Sequence, residues 1–362
     1  MIPNSRIPFI YVDFDNSRAI QTGGNQTYKV LLVGQQKTAG PIAAPVQIRT
    51  EKDVTDAFGE GSQLLRMAKV FFANNTSSKL YAVALNDAAL LPDLIKKIAD
   101  QHFHLIVNPY TDPVSLKAWD DDLIDRFSAS RQLESHLFSS VSGDESTLNA
   151  FHLHHSKHFT IMALPKGSDE AVVSAAVAGI VGEQAQLDPA RPFNTLPLNK
   201  VIAGEEGFEK SIRSRLLDLG FSTLFNDMNG TPRIERLITT YKNPLSETDE
   251  SYLSLNTLLT LSFLRFSFAN YFAAKYPRHK LGNDDAVVRP GSAILTPNTA
   301  RCETIALFRS WEEQGLVEGF EQFKNELYVE RNKKDPGRLD FFMSPRLVSQ
   351  LNIIGAKVSF LI

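Results

Sequence analysis

The densest set of potential ligands in the chain is His152, His154, His155 and His158, four of its eight histidines in one short stretch. Imidazoles this close together can hold a metal when a carboxylate or another imidazole fixes each ring from behind. They fall, however, between a helical pattern and an apolar run, where His152 and His154 share a face only in extended backbone. The stretch reads as a solvated connection. Asp120, Asp121, Asp122 and Asp125 point in different directions on a helix and read as a solvated face. The strand-like Val30-Leu31-Leu32-Val33-Gly34 followed by Gln35-Gln36-Lys37-Thr38-Ala39-Gly40 has the outline of a phosphate loop. It lacks a glycine directly before Lys37, and Pro41 stands where a helix should present its amides. Gly59-Glu60-Gly61 has no third glycine at the dinucleotide spacing and reads as a turn and cap. No Gly-x-Ser-x-Gly elbow follows a strand. Cys302 is the single cysteine, which excludes an internal disulfide or a CxxC site; within residues 300–308 it reads as a small packed thiol. No catalytic residue, metal ligand or cofactor is therefore assigned.

The elements that would position such groups alternate in the first half. Residues 28–33, 79–84, 103–108 and 159–164 are short apolar runs suited to strands covered on both faces. Helical patterns lie between or after them at 61–73, 91–99, 116–128 and 170–181, so the sheet is expected to be largely parallel. The alternation stops near Asp188-Pro189-Ala190-Arg191-Pro192. A helix at 207–219 follows, then runs at 221–228 and 233–241 flanking Asn229-Gly230-Thr231-Pro232, a hairpin signal. Long helical stretches at 250–275 and 299–314 complete an α+β half. The fold class is accordingly α/β and α+β: a largely parallel-sheet domain over residues 25–190, then an α+β domain over 191–351. Extended arms at 1–24 and 352–362 flank them.

Bulk properties narrow the partners. At 362 residues and 43% hydrophobic content the chain can fill two or three domains. A net charge of -3 with scattered basic residues offers nothing for phosphate neutralisation, so no direct nucleic-acid partner is expected. The start, Met1-Ile2-Pro3-Asn4-Ser5-Arg6, carries no secretory signal, which points to cytoplasmic synthesis. Residues 255–273 are rich in Leu and Phe but are interrupted by Asn256, Thr257, Thr260, Ser262, Arg265, Ser267 and Asn270; they read as a helix buried in protein, with no membrane insertion. Both termini carry β-prone segments in need of a partner edge. Ile10, Val12 and Phe14 alternate with Phe9 and Tyr11 before the polar 17–27 stretch, while Ile354, Ala356, Val358, Phe360 and Ile362 alternate at the other end. In residues 317–327, Phe320, Phe323 and Leu327 recur at helical spacing, leaving Glu318, Glu321, Lys324 and Asn325 on another face.

Three segments carry a family likeness: Arg6-Ile7-Pro8-Phe9-Ile10-Tyr11-Val12-Asp13-Phe14-Asp15-Asn16-Ser17, then Arg191-Pro192-Phe193-Asn194-Thr195-Leu196-Pro197-Leu198, then Val329-Glu330-Arg331-Asn332 with Asp335-Pro336-Gly337-Arg338-Leu339-Asp340. In this order they resemble Mu-like phage contractile tail sheath proteins. The resemblance implies a structural subunit without enzymatic activity, arranged in six-membered rings stacked around a tail tube. Contraction would drive the tube through the host envelope. It further implies terminal arms pairing with neighbouring subunits, an inner domain beside the tube to which Glu318, Glu321, Lys324 and Asn325 are the candidate contacts, and tube, baseplate and terminator proteins as partners. The expected location is the virion tail, assembled in a bacterial cytoplasm. Family members tend to carry an inserted outer domain after the strand at 79–85, where this chain has only Asn86-Asp87-Ala88-Ala89. The sheath of a pyocin-like injection particle is the near alternative; a soluble metal-dependent α/β enzyme using His152, His154 or Asp120 is the distant one.

Overall fold

The computed structural model describes residues 26–38, 40–201, 207–242, 249–287, 289 and 291–360. Two compact units emerge from their packing, one within residues 27–259 and 350–360 and the other within residue 26 and residues 260–349. The packing thus divides the chain at Leu259, well after the change of character near Asp188. The proline pair ends the strand–helix alternation, but Phe193, Leu198 and Ile234 beyond it are buried in the same core as the sheet.

The larger unit is built on strands β1 (Lys29–Gly34), β2 (Val46–Ile48), β3 (Lys79–Ala84), β4 (Leu105–Val107), β5 (His136–Gly143) and β6 (Phe159–Pro165), in the spatial order β2-β3-β1-β4-β5-β6. All neighbours run parallel except the edge strand β2, antiparallel to β3. Apolar side chains on both strand faces demand two covers. Helices α1 (Glu51–Phe58) and α2 (Gln63–Asn74) follow β2; α3 (Leu91–Lys97) follows β3; α4 (Pro113–Phe127) follows β4; α5 (Glu145–Ala150) follows β5; α6 (Glu170–Ala185) follows β6. Residues of α1, α2 and α6 bury in one core with Val30, Leu32 and Phe138, while residues of α3, α4 and α5 bury in another with Leu31, Val33 and Leu137. Helix α6 is apolar nearly all round because it is buried nearly all round. Its Gly179 lets α2 approach: a Cβ there would lie 3.3 Å from the Phe71 carbonyl oxygen. Side chains of Thr50, Ser62, Asp112, Asp144 and Asp169 accept backbone N–H groups at the starts of five of these helices.

The outer edge of β6 is closed by the chain that follows. Ser222 donates its N–H to the Ile161 carbonyl and accepts from Ala163, and the Thr240 N–H bonds to the Phe159 carbonyl. Ser222 lies between helix α7 (Lys210–Leu219) and β7 (Thr223–Asn226), which forms a hairpin with β8 (Pro232–Arg236), and Thr240 follows β8. The hairpin falls where Asn229-Gly230 places it, with Gly230 at φ 77.

Helix α8 (Leu255–Lys275) contains the unit boundary. Among the described residues no helix is long and apolar enough to cross a membrane. In the second unit, α9 (Pro297–Glu313) buries Ala300, Thr304, Leu307, Phe308 and Trp311, and Trp311 Nε1 donates to Ser267 Oγ at 3.0 Å. Short strands follow the first helix as a parallel pair, β9 (Lys280–Leu281) with β10 (Ile294–Leu295). Two antiparallel pairs complete the unit: β11 (Val317–Glu318) with β14 (Arg346–Leu347), and β12 (Tyr328–Arg331) with β13 (Leu339–Phe342). Helix α10 (Phe320–Glu326) sits between β11 and β12 in sequence.

Arg126 of α4 is wholly buried, yet fully engaged. Its Nε donates to Asp122 at 2.6 Å and its two terminal nitrogens donate to the carbonyls of Gln101 and Ile98, just beyond α3. Burial pushes the Asp122 carboxyl pKa up despite the adjacent guanidinium. Replacing Arg126 by Met strands a buried carboxylate and two carbonyls, with an expected loss of about 3–5 kcal/mol in urea unfolding. Adding Asp122→Leu should restore part of it, and a loss below ~1 kcal/mol would contradict this account.

Candidate functional site

The residues with chemical potential do not converge. His152 and His155 are exposed, His154 is half-buried and His158 is buried, so the four histidines are not the uniformly solvated connection expected of them. His154 Nε2 donates to Asp120 at 3.0 Å while the Ser156 hydroxyl donates to the other oxygen of the same carboxylate at 2.5 Å. The carboxylate stands between hydroxyl and imidazole, so the imidazole does not face the Ser156 oxygen and the hydroxyl–imidazole–carboxylate order of a Ser-His-Asp nucleophile is reversed. Among the described residues no group of three or more His, Cys, Asp or Glu could hold a metal. The acidic run divides likewise: Asp121 and Asp125 are exposed, but Asp120 and Asp122 turn inward to His154 and Arg126. Cys302 is exposed and not packed, because the buried stripe of α9 runs through Ala300, Thr304, Leu307 and Phe308 on another face.

The end of β1 gives the phosphate-loop outline its physical answer. The amides a phosphate would need are already donated within the chain: Gln35 N–H to Gln63 Oε1 at 2.9 Å, Gln36 N–H to Asn86 Oδ1 at 3.3 Å, and Lys37 N–H to the Phe58 carbonyl at 2.9 Å. The Tyr110 hydroxyl, beyond β4, closes onto the Leu85 carbonyl. In doubly wound sheets ligands bind at this switch between strands running to either side of the first. Here the chain's own side chains occupy it.

A different arrangement does bring separate motifs together. Asn256 at the start of α8 donates from Nδ2 to the carbonyls of Pro189 and Arg191, each at 2.8 Å, fixing the proline-broken segment. Beyond it Thr195 and Leu198 donate backbone N–H groups to Ile234 and Pro232, and Ile234 donates back to Leu196, so the segment lies along β8. Onto this platform comes the C-terminal tail. Gln350 pairs with Ser254 at 3.1 Å and with the Ala190 carbonyl at 3.4 Å, and Asn352 accepts from Asn194 at 3.2 Å. After that tie the chain leaves the surface. Residues 351–360 have no regular structure; Ile354, Ala356, Val358 and Phe360 are all exposed, Ile354 and Phe360 at 80% and Val358 at 84%. Ile362 and the N-terminal Phe9, Ile10, Tyr11, Val12 and Phe14 lie outside the described residues.

The charged candidates near α10 are exposed, with one difference from expectation. Phe320, Phe323 and Leu327 do turn toward the unit's interior, Phe323 stacking on Phe308 at 3.9 Å between ring centroids. Glu321, Lys324 and Asn325 lie outward on the helix, Glu321 and Lys324 3.8 Å apart. Glu318, however, is not on that helix. It belongs to β11, separated from α10 by Gly319 at φ 82, and pairs across the strands with Arg346 at 2.8 Å. Substituting Phe323 by Ala should cost about 3 kcal/mol in the unfolding of this unit, followed through Trp311 in a Trp119→Phe background. Glu321→Lys should stay within about 0.5 kcal/mol of the parent, and a larger change would mean its side chain packs.

Comparison with known proteins finds two family models along the chain. The model of the phage tail sheath protein central domain matches residues 86–240, and that of the phage tail sheath C-terminal domain matches residues 247–360. The Mu-like prophage FluMu tail sheath protein of Haemophilus influenzae is 26% identical, covering 100% of this chain and 99% of the relative. Its alignment runs over 480 positions against 362 residues here, so that relative carries segments absent from this chain. Among solved structures, the anti-feeding prophage helical sheath in its contracted state is similar with TM-score 0.62 and 14% identity, over 98% of this chain and 99% of that one. A sheath tail protein of Desulfitobacterium hafniense matches with TM-score 0.62 and 10% identity, over 94% and 100%.

Proposed function

The chain belongs to the phage tail sheath family, and we propose that it works as the repeating subunit of a contractile tail sheath, in six-membered rings stacked around a tail tube. The family is structural and not enzymatic, and nothing in the chain's own switch-point chemistry asks for another reading. The observation that carries the proposal is the tail: a base held by Ser254, Ala190 and Asn194, followed by apolar side chains about four-fifths exposed. Such a segment is costly to leave in water and has the alternation of a strand awaiting an edge. The receiving edge is a neighbouring copy, to which Ile354, Ala356, Val358, Phe360 and Ile362 present one face. The N-terminal Phe9, Ile10, Tyr11, Val12 and Phe14 form the second connector. Residues 191–351 make the part nearest the tube and residues 25–190 the outer part, a functional division that cuts across the larger compact unit, with Glu321, Lys324, Asn325 and, from its strand, Glu318 as charged tube contacts. Baseplate and terminator proteins bound the array, in the tail of a virion. Contraction is a passage from a metastable packing to a lower one, which needs no nucleotide.

Deleting residues 353–362 should leave the monomer's melting temperature within about 2 °C of the parent, because the side chains of residues 353–360 are all exposed. Tubes seen by electron microscopy of the parent should be absent from the variant. A variant that melts much earlier yet still forms tubes would place this strand in its own subunit. Reversing Glu318 and Glu321 to Lys should weaken assembly on the tube at low salt; since Glu318 also pairs with Arg346, Arg346→Glu in the same chain restores that pair and isolates the tube contact. Unimpaired assembly of the reversed chain would remove this surface from consideration.

A further inference from the structure

The starts of the parallel strands carry an unusual row of rings. Tyr28 precedes β1 and stacks on His104, which precedes β4, at 4.6 Å; His102 lies 4.1 Å from His104; His136 opens β5; His158 immediately precedes β6. The strand registers place His136 beside His158, since Leu137 pairs with Phe159. His136 and His158 are each 1% exposed.

Their hydrogen bonds define what a proton would do. The Thr160 hydroxyl donates to the Ile238 carbonyl, so its oxygen accepts from His136 Nε2–H at 2.8 Å, and His136 Nδ1 is left buried with no partner. Both ring nitrogens of His158 are buried and unpartnered. His104 Nδ1 accepts the Lys29 amide at 3.0 Å, a bond that protonation of that nitrogen would break. The charged and titratable groups facing the row offer little welcome to a cation. Lys29 and His102 face His104; His158 faces His136; Lys157 and Asp120 face His158, and Asp120 is already shared by His154 and Ser156. His102, whose Nε2 donates to the Glu134 carbonyl, is flanked by Glu134, Lys29 and Arg126.

We propose that this row makes the sheet an acid-sensitive element, in which protonating His136 and His158 opens the edge where β4, β5 and β6 begin. Burial holds both imidazoles neutral, His158 down at about 4 and His136 well below the usual histidine range. An unfolded chain binds those protons near pH 6.5, the folded chain only lower, so stability is whole above about 6.5 and falls as pH drops toward 4. The unfolding constant should rise roughly ten-fold per pH unit for each such imidazole. Carboxylates held low by hydrogen bonds, such as Asp144 at about 2, release their contribution only below this window.

The test is urea unfolding of the full chain at pH 7.5, 6.5, 5.75 and 5.0, for the parent and for His136→Gln with His158→Gln. Below pH 6.5 the parent's unfolding constant should climb more steeply than the double variant's, the difference approaching ~100-fold per pH unit toward pH 5.0, while His104, also held low, leaves the variant a residual slope. A flat parent, or a variant with the parent's slope, overturns the proposal. If the variant does not fold, histidine-selective NMR of the parent with assigned signals decides: His136 and His158 still neutral at pH 5.5 support it, and either of them titrating between pH 6 and 7 overturns it.

Discussion

A parallel sheet must be dry on both faces and closed at its edges, and most of the larger unit follows from meeting that demand. Helices α2 and α6 cover one face and α3 and α4 the other. The free edge of β6 leaves backbone groups to be paired, and backbone from Ser222 and Thr240 is brought to it. Beside it, Phe193, Leu198, Ile234, Leu255 and Leu259 enter the core that covers one face of the sheet, and their segments form the platform on which Gln350 and Asn352 rest. The base of the C-terminal tail is therefore held by the same packing that seals the sheet.

Much of this was legible in the residue order. The runs that became β1, β3, β4 and β6, the crossover helices between them, and the hairpin at Asn229-Gly230 all announced themselves through periodicity and turn chemistry. Strand β5 did not, because His136, Ser139, Ser140 and Ser142 break its apolar run, although each of these polar groups except the His136 Nδ1 finds a partner inside the fold. The three-residue β2 is too short to carry a pattern. The boundary between compact units was illegible for a different reason: prolines report where regular structure stops, whereas the unit is decided by where Phe193 and Leu198 find a core.

The same limit governs the candidate site. Helical spacing correctly separated Phe323 and Leu327 from Glu321, Lys324 and Asn325, but periodicity alone ran the helix back through Gly319 and carried Glu318 with it. The inward turn of Asp120 was hidden because its partner His154 is distant in sequence, whereas Asp122 meets Arg126 at ordinary helical spacing and it is the burial of that pair, like that of His158, that no local pattern encodes. The tie of Asn352 to Asn194 joins residues 158 apart in sequence and had no signal of its own.

That tie also makes the tail a leash of fixed length. Residues 353–360, fully extended, reach about 26–29 Å from Asn352. Any strand edge that captures them must lie inside that radius, and two linked bodies can turn or slide past one another freely so long as anchor and dock stay within it. In the proposed assembly, length rather than bond strength would set how far neighbours can travel while remaining connected, and each inserted or deleted residue would move that limit by about 3.3 Å.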